Sequence, residues 1–106
     1  MHLTWNIGKR FNKPGQTRRE YSLTLNDKYG SSHFTKGFTV TALRQLCDAL
    51  QDAVDGNYGS THEWFSTPCR RYRKQVIVEK GRTKISAEPS ELARLIEEID
   101  YLLGDI

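Results

Sequence analysis

Apolar and polar residues alternate in two runs near the beginning of the sequence. Leu3, Trp5 and Ile7 alternate with His2, Thr4 and Asn6, and Tyr21, Leu23 and Leu25 alternate with Ser22, Thr24 and Asn26. A period of two puts one set on the buried face of a strand and the other on its exposed face. Pro14 and Gly15, between the runs, suit the central positions of a type II turn. Residues 2–26 therefore predict a long hairpin. A turn over residues 26–31 leads to a further predicted strand, His33–Val40, with Phe38 and Val40 facing inward.

The period then changes. Leu43, Leu46, Cys47, Leu50, Ala53 and Val54 recur at helical spacing and form one apolar stripe. Thr41 is the expected N-cap, since its hydroxyl can accept from an unpaired first-turn amide, and Gly56 is placed to end the helix. The stretch Asp-Gly-Asn-Tyr-Gly-Ser-Thr (55–61) breaks the pattern. After it, His62–Phe65 reads as a short strand. Residues 71–78 read as a longer one, with Tyr72, Lys74, Val76 and Val78 on one face. Lys80–Gly81 is the expected hairpin turn, and Ile85 returns on the next strand. A second helix begins near Ser86–Ser90, with Pro89 tolerated in its first turn. Its stripe is Leu92, Leu95, Ile96, Ile99, Leu102 and Leu103, and Gly104 ends it.

Both helices have a single apolar stripe and need a sheet, or each other, to cover it. The economical arrangement is α+β: one antiparallel sheet of four to six strands with both helices on one face, in the order β-β-β-α-(β)-β-β-α. The 106 residues suit one domain. Its halves, 1–56 and 57–106, repeat the same outline, as an internal duplication would. A shift of 49 positions lays the first helix stripe on the second, whereas the strand ends, Phe38–Thr41 on Thr83–Ser86, align at a shift of 45.

Composition adds limits. Hydrophobic residues make up 37% and charged residues 27%, an ordinary balance for a soluble globular domain. No apolar run is long enough for a transmembrane helix, and MHLTWNIGKR lacks the apolar stretch of a secretory signal. The default localisation is cytoplasmic. In that compartment a Cys47–Cys69 disulfide is not expected. Cys47 falls on the helix stripe as a small buried hydrophobe, and Cys69 sits beside Arg70 and Arg71, charges that could lower its pKa.

The net charge of +3 hides strong segregation. Lys9, Arg10, Lys13, Arg18 and Arg19 oppose only Glu20 in residues 1–24. Arg70, Arg71, Arg73, Lys74, Lys80, Arg82 and Lys84 oppose only Glu79 in residues 70–84, a local excess of +6. Residues 85–106 carry −5. Segregation is the informative quantity: it suits binding to a partner, or cations that merely offset the acidic helices across the fold.

Catalysis has little support in the pattern. His2, His33 and His62 are scattered, and a Cys69–His62 nucleophile–base pair is surrounded by no motif. Cys47, Cys69, His33 and His62 lack the short spacing of zinc ligands, and no glycine-rich phosphate loop precedes a helix. No enzyme, metal or cofactor is expected. Basic blocks interleaved with aromatics instead suit nucleic acid: cations release counterions from phosphates, and exposed rings stack unpaired bases.

One stretch resembles a known family. Residues 81–99, GRTKISAEPSELARLIEEI, are similar to the last strand and helix of the transcriptional coactivator family called positive cofactor four. The similarity lies in Gly81–Arg82, the Ile85–Ser86 pair, Pro89 and the Leu92–Ile99 stripe. Residues 36–50 carry a fainter likeness through Lys36–Gly37, Phe38 and Val40. The resemblance implies single-stranded DNA binding on a curved antiparallel sheet, commonly by a dimer whose helices pair, and hence a fused pseudo-dimer or a homodimer here. It fixes no binding residue.

The expected function is binding of single-stranded DNA or RNA through a basic sheet face and hairpin tips. The expected phosphate contacts are Arg70, Arg71, Arg73, Lys74, Arg82 and Lys84, extended by Lys9, Arg10, Arg18 and Arg19, with Phe11 and Tyr72 as base stackers. The alternative is a phage-type interaction module or inhibitor that docks on an acidic protein surface or a nucleoprotein complex.

Overall fold

A computed structural model describes residues 3–10, 20–27 and 37–104. The protein is α+β with antiparallel sheets. Strands β1 (Thr4–Arg10), β2 (Glu20–Asn26) and β3 (Gly37–Phe38) form one sheet in that order, and helix α1 (Val40–Asp55) follows. A 3₁₀ helix over Tyr58–Glu63 leads to β4 (Arg70–Tyr72), β5 (Gln75–Lys80) and β6 (Thr83–Ala87), which form a second sheet, and helix α2 (Pro89–Gly104) closes the order. The expected single sheet is thus replaced by two sheets of three strands. Asp27, just past β2, links them by accepting the backbone amide of Ser86 on β6 at 3.0 Å.

The alternating pattern does what it predicts in β1 and β2. Trp5 pairs with Leu25 and Ile7 with Leu23, so these residues share the inner face. Tyr21, opposite Phe38 in β3, lies on the same face. The predicted tip residues 11–19 and the turn beyond Asp27 lie outside the described residues, as does His33.

The third strand and the first cap differ from expectation. Among the described residues the strand covers only Gly37–Phe38, and Val40 and Thr41 already belong to α1. Thr39, not Thr41, is the N-cap: its backbone is extended, and its hydroxyl accepts from the Ala42 amide at 3.1 Å. That bond satisfies one of the otherwise unpaired first-turn amides, a contribution of about 1 kcal/mol. Gly56 ends the helix in the left-handed conformation at φ 83°, which glycine adopts without penalty.

The predicted strand over His62–Phe65 is instead the end of the 3₁₀ helix and a bend. Thr61, fully buried, fixes this segment: its hydroxyl donates to the Tyr58 carbonyl at 2.7 Å and accepts from the Cys69 amide at 3.1 Å. Local side-chain bonds of this kind compete with strand pairing.

The predicted strand 71–78 is broken in two. Tyr72 pairs directly with Gln75, so Arg73 and Lys74 form a two-residue hairpin loop. Arg73 has φ 57°, the left-handed region, which costs a residue with a side chain about 1 kcal/mol or more. Tyr72 and Lys74 therefore do not share the face of Val76 and Val78, both of which are buried. The next turn falls one residue later than expected, on Gly81–Arg82, with Gly81 at φ 61° and Lys80 still paired to Thr83.

Helix α2 is tied at its start to the far end of the chain. Glu91 is buried. One carboxylate oxygen accepts from the Glu88 amide at 3.1 Å, in the manner of a capping box, and the other accepts from the Leu3 amide. Further along the helix, the indole of Trp5 donates to Glu98. Helix α1 packs against α2, β2 and β3. A single apolar cluster runs from the inner faces of both sheets through both helices, with Leu23, Leu43, Leu46, Ile85, Leu95 and Ile99 fully buried.

Each half therefore runs three antiparallel strands, a one-residue connection and a helix of 16 residues. The strand ends, Phe38 and Ala87, and the helix starts, Val40 and Pro89, are both 49 positions apart. The shift of 45 disappears, because it rested on counting Val40 and Thr41 as strand.

Candidate nucleic-acid interface

The inner and outer faces of each sheet follow from register. In the first sheet, Thr4, Asn6, Gly8, Ser22, Thr24 and Asn26 oppose one another on the face away from the core. It is a neutral face among the residues with described side chains. Lys9 and Arg10 end β1, in register with Tyr21 and Glu20. Phe11, Arg18 and Arg19 lie outside the described residues.

The second sheet carries the described cations, but divides them. Its outer face holds Arg70 and Tyr72 on β4, Gln75, Ile77 and Glu79 on β5, and Lys84 on β6. Glu79 is the centre of this face. Its carboxylate meets the Arg70 guanidinium at 2.5 Å, accepts from the Thr67 hydroxyl at 3.4 Å and stands directly across the ladder from Lys84. The hydrogen bond from Arg70, with the charges of Arg70 and Lys84, holds the Glu79 carboxyl below the usual range. Two of the expected phosphate contacts thus already face an anion.

Lys80 is engaged too. Its ammonium lies 3.7 Å from the centre of the Trp64 ring and donates to the Trp64 carbonyl at 2.6 Å. Burial pulls its pKa down. Trp64 in turn packs edge-on against Phe65 and stacks towards Phe38, a structural use that charge counting does not reveal.

In the turns of this sheet, Arg71, Arg73, Lys74 and Arg82 are exposed and have no ion pair among the described residues. The first three surround the β4–β5 turn. Arg71 donates through Nε to the Arg73 carbonyl at 3.2 Å, and the Arg73 guanidinium carbon stands 5.4 Å from the centre of the Tyr72 ring. Tyr72 is 61% exposed. Arg82 sits in the next turn, at the opposite end of β5, roughly 20 Å away at 3.3 Å per residue. The structure brings together Arg71, Arg73, Lys74 and Tyr72 at one tip and separates them from Arg82.

The cysteines lie away from this surface. Cys47 is buried, and its thiol donates to Asp100 at 3.5 Å; burial, with the Asp100 charge, pushes its pKa up to about 12. Cys69 is also buried and free, and burial raises its pKa. The Arg70 charge acts in the lowering direction, but desolvation of the thiolate outweighs it. His62 is exposed. Among the described residues no three His, Cys, Asp or Glu side chains gather as metal ligands, and no helix is long and apolar enough to cross a membrane.

A cleft of about 270 Å³ lies between α1 and the 3₁₀ helix, lined by Gln45, Asp48, Asp52, Ser60, Glu63 and Trp64. Its acids would repel a polyanion, and none of the expected contact residues lines it.

No protein family, curated protein or solved structure matches the chain.

Proposed function

We propose that the protein binds single-stranded nucleic acid, without chemistry on it, through the hairpin turns of its second sheet. The observation that carries this reading is the group of exposed cations Arg71, Arg73 and Lys74, without an ion pair among the described residues, around a 61% exposed Tyr72. Cations at a rigid tip contact phosphates and release counterions, and an exposed ring beside them offers a stacking surface that a duplex cannot use. Arg82 extends the contact to the other end of β5, and Lys9 and Arg10 extend it on the first sheet. Arg70 and Lys84 contribute less, since Glu79 already faces both.

The likeness to the coactivator family supports the same ligand class. Its residues form the Gly81–Arg82 turn, β6 and the first turns of α2. The repeated order of three strands and a helix, with the two helices packed together, supports a fused pair of such units.

Titration of a labelled single-stranded oligonucleotide at several salt concentrations tests the reading. About four phosphate contacts give a slope of log affinity against log salt near −3, at roughly −0.7 per contact. Absence of binding at low salt overturns it.

A second reading, docking on a protein, is favoured by Tyr101. It is 77% exposed on α2, among Glu97, Glu98 and Asp100, where a polyanion would be repelled. Retrieval of a protein partner that survives nuclease treatment decides for that reading.

A further inference from the structure

Arg73 is the only residue other than glycine with positive φ among the described residues. It occupies the first position of a two-residue hairpin loop, because Tyr72 and Gln75 on either side are directly paired. Lys74 has no positive φ, so Arg73 alone holds the left-handed position of the loop, a place ordinarily taken by glycine. A bulky side chain in this conformation is strained, and strain of this kind concentrates where a ligand is held.

Three contacts show what the arginine does there. Its carbonyl accepts from Arg71 Nε at 3.2 Å, its guanidinium carbon stands 5.4 Å from the Tyr72 ring centre, and that ring is 61% exposed. Two guanidiniums and an aromatic face are thereby gathered at the end of β4 and the loop that follows it. Glycine at position 73 would relax the backbone and delete one guanidinium together with its contact to the ring.

We propose that this turn is the docking point for one unpaired nucleotide, its base against the Tyr72 ring and its phosphate on Arg71 and Arg73. The inference rests on the single-strand reading above and adds the unit recognised, the place and the reason for the strained arginine. A base within a duplex has its faces covered by neighbouring bases and cannot reach the ring. A free anion uses the guanidiniums but leaves the ring unused.

The test compares the unmodified protein with Arg73→Gly and Tyr72→Leu, on a short oligothymidine and on an abasic strand of equal length and charge. Thermal melting is measured in parallel. Arg73→Gly should raise Tm by about 4 °C, weaken oligothymidine binding about fivefold and make the salt slope shallower by about 0.7. The unmodified protein should prefer oligothymidine to the abasic strand about tenfold, and Tyr72→Leu should abolish that preference. Should Arg73→Gly fold poorly, Arg73→Asn, which tolerates the left-handed conformation, carries the same expectation for binding.

If the unmodified protein binds neither strand at low salt, the nucleic-acid reading falls and this inference with it. Equal binding of both strands, or unchanged binding by the position-73 variant, overturns this inference alone and leaves the broader reading standing.

Discussion

Arg70 and Glu79 face each other at 2.5 Å on the outer face of the second sheet, with Lys84 directly across the ladder from the same carboxylate. Under the proposed single-strand reading, Glu79 would compete with a phosphate for both cations. Glu79→Gln should release one to two cations. The expected result is severalfold tighter binding to single strands at low salt and a slope steeper by about 0.7 to 1.4, read in the same titration as above. Unchanged affinity would show that Arg70 and Lys84 lie off the nucleic-acid path.

The same pair makes a small pH-dependent contribution to stability. The native Glu79 carboxyl is held below its ordinary range, so its contribution is complete above the unfolded pKa and disappears as pH falls through the native one. With the Arg70 side chain 47% exposed, screening keeps this below about 1 kcal/mol. Denaturant unfolding from neutral to acidic pH should show slightly less loss in Glu79→Gln than in the unmodified protein.

Tyr21 is completely buried, and its hydroxyl has no hydrogen-bond partner among the described residues. A buried, unbonded hydroxyl costs about 1–3 kcal/mol, so its removal with retention of the ring should stabilise. Tyr21→Phe is expected to gain about 1 kcal/mol by urea denaturation. A comparable loss would reveal a partner for the hydroxyl.

The two threonines at the start of α1 separate cap from helix. Thr39→Ala should cost about 1 kcal/mol, because the Ala42 amide loses its acceptor. Thr41→Ala, at an exposed position inside the helix, should be neutral or slightly favourable, since alanine is the better helix former. Equal effects in chemical denaturation would contradict the assignment.

Cys47 should ionise only in strong alkali. Its native pKa of about 12 lies above the value of a free thiol, near 8.5, so the native state keeps a proton that the unfolded chain loses. Stability attributable to this thiol is complete below the unfolded pKa and lost as pH rises towards the native one, at no more than about 1.4 kcal/mol per pH unit. Cys47→Ala should flatten the alkaline limb of the stability profile. In native protein, both buried thiols should react with a disulfide reagent far more slowly than in denaturant.

The parts of the fold that sequence made legible are those with many repeats of one period. Six stripe positions identify each helix, and three alternations identify β1 and β2. The Arg73–Lys74 turn was hidden because neither residue is glycine, asparagine or proline, so Tyr72-Arg73-Lys74-Gln75 reads as continuous strand. Thr39 and Thr41 have identical capping chemistry, and only backbone conformation, which sequence does not display, makes Thr39 the cap. At the candidate site, the excess of cations in residues 70–84 was visible, but their availability was not. Arg70 and Lys84 are met by Glu79 through strand register, and Lys80 by Trp64 through a chain reversal 16 positions long. Counting charge along a chain cannot register either relationship.

The Leu3–Glu91 hydrogen bond spans 88 positions, and Trp5–Glu98 spans 93. The first strand thus finds its polar anchors only after the last helix has been synthesised. A nascent chain that has released only its first half therefore lacks both bonds, and it is in such incomplete states that aggregation competes with folding.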